Sequence, residues 1–66
     1  MEQELVEAKR QIDSTLRKLQ QVVKTLEAKE NRSRYQSQIT LATRRMQAFT
    51  IANELIEREL EQRLSF

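Results

Sequence analysis

The sequence predicts an all-α protein, a single two-helix antiparallel hairpin of coiled-coil-like packing over residues 1–66. Three observations lead there. The chain has no Gly and no Pro, 33% of it is charged, and Leu, Glu, Gln, Arg and Ala recur, which favours long helices over sheet. Two apolar stripes advance by alternating steps of three and four residues, the spacing that keeps one helix face apolar. Between them lies the short polar stretch "AKENRS", at residues 28–33. The expected elements are a first helix over about 3–29, a turn over about 30–33 and a second helix over about 34–64.

The first stripe consists of Leu5, Ile12, Leu16, Leu19, Val23 and Leu26. Lys9 stands where the pattern calls for an apolar residue. Its alkyl stem can cover neighbours while the ammonium reaches water, so the seam is weakest near the N-terminus. In the connection, Asn31 is a candidate for the left-handed conformation that ends a helix, and Ser33 for the cap of the next. Gln36, three residues after Ser33, completes a capping-box pattern. The second stripe runs Tyr35, Ile39, Ala42, Met46, Phe49, Asn53, Ile56 and Leu60.

Folding the stripes together predicts Leu26 against Tyr35 and Ile39, and Leu19 against Ala42 and Met46. Ile12 then falls near Phe49 and Asn53, with Lys9 across from Asn53. A buried amide at Asn53 would fix register at some cost in stability. The rival arrangement is one unbroken helix through residues 29–34, which would need end-to-end oligomers to cover both seams.

Composition narrows the function classes. A chain of 66 residues gives one small domain with little buried surface, and without Cys it has neither disulfides nor thiolate metal sites to reinforce it. His and Trp are absent too, which removes the commonest general base and the commonest metal ligand. No calcium-loop pattern or phosphate-cradling Gly-rich loop is present. An enzyme is therefore not expected, and no catalytic, cofactor-binding or metal residue is assigned. No apolar run exceeds two residues, far below the roughly 20 needed to span a bilayer. The opening Met1-Glu2-Gln3-Glu4 carries no signal-peptide core, so the cytoplasm is the expected location.

The stretch "AFTIANELI", at residues 48–56, carries more apolar surface than one seam uses. At about 100° per residue, Leu41, Ala48, Ile51, Ala52 and Leu55 point away from the second stripe. The opposite arc collects Gln36, Thr43, Gln47, Glu54, Arg58 and Glu61. The first helix shows no comparable second stripe. A hairpin covers one side of each helix, so these five residues are the expected partner-binding face.

Charge is unevenly spread. Residues 1–7 hold three acids and no base, residues 8–50 ten bases and three acids, and residues 51–66 four acids and two bases. A hairpin would thus be acidic at its open end and basic around its turn, where Lys24, Lys29, Arg32, Arg34, Arg44 and Arg45 gather. Nucleic-acid binding is disfavoured all the same: the net charge is only +2, and Tyr35 alone is a poor stacking platform. The pairs Glu54/Arg58 and Glu59/Arg63 have the spacing of intrahelical ion pairs.

In layout, these features resemble the small YscE-type co-chaperones of bacterial type III secretion needle subunits. The resemblance rests on a short one-seam first helix, a polar turn, Tyr35-Gln36 opening the second helix and the aliphatic "AFTIANELI". The turn "KENRSR" departs from it in being basic. The resemblance implies a hairpin that binds a helical-repeat chaperone, the two together keeping a needle subunit soluble in the cytoplasm before export. Its implied contacts are Leu41, Ala48, Ile51, Ala52 and Leu55. The alternatives are self-association into a helical bundle, giving a homo-oligomer when alone, and, less favoured, a basic nucleic-acid-binding hairpin.

Overall fold

The computed structural model describes residues 1–64. Helix α1 spans Glu2–Glu27, a short 3-10 helix spans Arg32–Tyr35, and helix α2 spans Gln36–Leu64. The two long helices pack side by side as an antiparallel hairpin measuring 54 × 14 × 14 Å. Its radius of gyration of 15.4 Å exceeds the roughly 11 Å of a compact chain of this length. In so thin a rod the core is a single line of side chains between two helices.

Glu2 and Glu4 lie in the first turn of α1 and Lys24 in its last, both placements favourable to the helix dipole. Along the seam Leu26, Ile39 and Ala42 are buried. The other expected core residues, Leu5, Ile12, Leu16, Leu19, Val23, Tyr35, Met46, Phe49, Ile56 and Leu60, are half-buried. Burial is deepest near the turn, where both chain directions and the 3-10 helix close over the seam.

The connection differs from its expected form. Helix α1 ends at Glu27 and the regular part of α2 starts at Gln36, so the reversal occupies more residues than the 30–33 expected. Asn31 sits at φ −96°, ψ 62°, and no described residue has a positive φ. No left-handed residue is needed, because the chain turns through 3-10 hydrogen bonds. The Arg34 N–H donates to the Asn31 carbonyl at 3.0 Å, and the Gln36 N–H donates to the Ser33 carbonyl. Ser33 therefore lies inside the 3-10 turn instead of capping α2. Gln36 sends its Nε2 forward to Thr40 Oγ1 at 3.3 Å, so the expected capping box does not form.

Candidate functional site

The outer face of α2 is the principal candidate. Leu41, Ile51 and Leu55 are 51, 59 and 57% exposed, although each is large and aliphatic. Ala48 is exposed with them, so four of the five expected partner-binding residues form an uncovered stripe. Ala52 departs from this pattern by being half-buried. On the helical wheel it lies between the stripe and Ile56, close enough to the seam to be partly covered. The stripe holds an Arg at position 44 and otherwise runs apolar from Leu41 to Leu55. Around its edge, Thr43, Met46, Gln47, Thr50 and Ile51 line a shallow open depression. Thr50 adds little polarity there, because its hydroxyl already donates to the Met46 carbonyl at 2.7 Å.

Helix α1 exposes apolar surface at Val6 and Val22. These lie sixteen residues apart on opposite flanks of the seam and make no stripe.

A polar cross-link joins the helices on the side of the open end. Asn53 is 9% exposed and donates its Nδ2 to Asp13 Oδ1 at 2.7 Å. Asp13 Oδ2 accepts from Lys9 Nζ at 3.0 Å, and Lys9 also meets Glu57 Oε1 at 3.2 Å across the interface. Both cross-helix pairs, Asp13 with Asn53 and Lys9 with Glu57, are centred on Ser33. The hairpin register is therefore within about one residue of the sequence pairing of Ile12 with Asn53. Hydrogen bonds to Asp13 and then Glu57 raise the Lys9 pKa above the ordinary lysine range. Those from Lys9 and then Asn53 hold the Asp13 carboxyl below its ordinary value. Asn53 Oδ1 is buried without a donor.

The sequence singles out Asn53 and Lys9 but sets them across from each other; in the structure Asn53 meets Asp13 and Lys9 meets Glu57, and neither of those partners was expected. A signal was available: Asp13 stands four residues after Lys9, and each lies opposite its partner once the turn is fixed. Lys9, Asp13 and Glu57 remain partly solvated, with side chains 31, 42 and 47% exposed.

At the turn, Lys29 Nζ lies 5.6 Å from the centre of the Tyr35 ring, and Arg32 pairs with Glu27 at 3.3 Å. Two of the six cations gathered there are thus engaged within the chain, and the aromatic ring is occupied by a lysine. Along α2, Glu59 pairs with Arg63 at 3.0 Å. Among the described residues Glu54 and Arg58 form no such pair, in contrast to their expected i,i+4 spacing. No described helix is long and apolar enough to cross a membrane.

Comparison with known proteins gave no matching family model, no matching curated protein and no matching solved structure.

Proposed function

We propose that this chain is a non-enzymatic protein-binding module whose outer α2 face docks a helical partner. The observation that carries the reading is the stripe of Leu41, Ala48, Ile51 and Leu55, exposed on the side of α2 away from α1. An amphipathic helix face of this kind fits a groove between helices of another protein, with aliphatic side chains as anchors and rim charges tuning association. The specific form follows from the resemblance in layout: a cytoplasmic co-chaperone that binds a helical-repeat chaperone and helps hold a type III secretion needle subunit soluble before export.

The test is affinity capture from the native cytoplasm with identification by mass spectrometry, run beside a Leu41→Glu/Leu55→Glu variant. Recovery of a helical-repeat chaperone with a needle-type subunit by the wild type, and loss of both by the variant, is the expected result. Equal recovery by both proteins would remove the α2 face as the docking surface. Recovery of a different helical protein, lost in the variant, would keep the docking face and reject the secretion role.

A further inference from the structure

We infer that the outer face of α2 also takes a second copy of this chain, docked antiparallel about a two-fold axis close to Ala48. The inference rests on the reading of that face as a docking surface and names one occupant for it. Three features of the stripe are self-complementary.

The first is apolar symmetry. Leu41 and Leu55 stand seven residues to either side of Ala48, about 10 Å along the axis in each direction. A two-fold axis through Ala48 sets Leu41 of one copy against Leu55 of the other, twice. Ala48, the smallest residue of the stripe, lies where the helices cross and permits close approach.

The second is charge. From Gln36 to Thr50, α2 carries only the bases Arg44 and Arg45, whereas from Ile51 to Leu64 it carries four acids and two bases. An antiparallel pair brings the basic half of each helix beside the acidic half of the other. A parallel pair would place Arg44 and Arg45 against themselves, which is repulsive.

The third is the position of particular unpaired charges. Arg44 stands within the stripe, toward the edge that borders the polar arc where Glu54 lies; both are exposed, and the two-fold operation brings equivalent edges together. Rotation about Ala48 leaves them offset by two residues, about 3 Å, within the span of an arginine side chain. Among the described residues neither makes an ion pair within its own chain. A heterologous partner would not require this internal match between the two halves of one helix. Self-pairing does.

Sedimentation equilibrium of the purified full chain over a roughly hundredfold concentration range tests the inference, with circular dichroism confirming helix content for each variant. The wild type is expected to pass from monomer to dimer, and Leu41→Glu/Leu55→Glu to stay monomeric. Arg44→Glu and Glu54→Arg are each expected to weaken the dimer by about tenfold or more, because like charges then meet at both symmetric positions. The Arg44→Glu/Glu54→Arg double variant is expected to recover wild-type association. A monomeric wild type overturns the self-pairing, as does a dimer that survives Leu41→Glu/Leu55→Glu. A double variant no tighter than its single parents overturns the antiparallel register. None of these results alters the partner-capture outcome, so failure of the second copy and failure of the docking face are separable.

Discussion

Two neighbouring alanine substitutions on α2 test which of its faces is the core. Ile39 is 6% exposed and Leu41 is 51% exposed, two residues apart on the same helix. Ile39→Ala removes three carbons, worth about 0.8 kcal/mol each in transfer from water, or about 2.4 kcal/mol. A cavity term adds to this, but a site between only two helices collapses more readily than one in a deep core, which points to the low end of the usual range. Alanine returns a few tenths of a kcal/mol in helix propensity. The expected net loss is about 2–3 kcal/mol. Leu41→Ala removes as many carbons from a side chain already half in water, and the same propensity gain offsets part of the change. Its expected cost is below about 1 kcal/mol. A chain of this size has on the order of 3–10 kcal/mol of stability in total, so the first change removes a large share. Urea unfolding followed by helical circular dichroism, at two concentrations low enough to keep the protein monomeric, measures both. Equal losses, or a larger loss at Leu41, would refute the assignment of the seam.

Three further outcomes follow from the cross-link and the turn. Asn53→Leu removes a buried oxygen that has no donor and places an apolar side chain between Phe49 and Ile56 in the seam, so the urea midpoint should rise by an equivalent of about 1–2 kcal/mol. A fall would mean that the Asp13 hydrogen bond outweighs the orphaned oxygen. Asp13 has a lowered folded pKa, so its contribution is present above the ordinary aspartate range and is lost as pH falls through the lowered value. Lys9 has a raised folded pKa, so its contribution is complete below the ordinary lysine range and is lost as pH rises through the raised value. Thermal unfolding across pH should therefore show an acid decline that Asp13→Asn reduces and an alkaline decline that Lys9→Met reduces; unchanged profiles would show that the cross-link does not contribute. Tyr35→Leu keeps the half-buried apolar contact but removes the ring under Lys29, and should shift the urea midpoint by an equivalent of less than about 1 kcal/mol.

Composition and periodicity dictate the helices, because a chain without Gly or Pro and with apolar residues at steps of three and four has few alternatives to long amphipathic helices. They also dictate that α2 carries two apolar faces, since Leu41, Ala48, Ile51 and Leu55 fall on one side of the wheel whatever the helix packs against. Local periodicity is enough for both conclusions. The turn was legible only as a polar interruption: Gln36 has hydrogen-bond partners of similar reach on both sides, the Ser33 N–H behind it and the Thr40 hydroxyl ahead, and its choice of Thr40 over a capping box depends on the path by which the chain reverses. Ala52 is half-covered because helix position, and not residue type, sets its distance from the seam. The partners of Asp13 and Lys9 lie far away in sequence, at Asn53 and Glu57, and a one-residue change in the reversal would rotate them out of reach. Those pairings belong to the packed hairpin, because hydrogen bonds and ion pairs need contact at about 3 Å, whereas the hydrophobic pattern tolerates a slip that still leaves apolar surface covered.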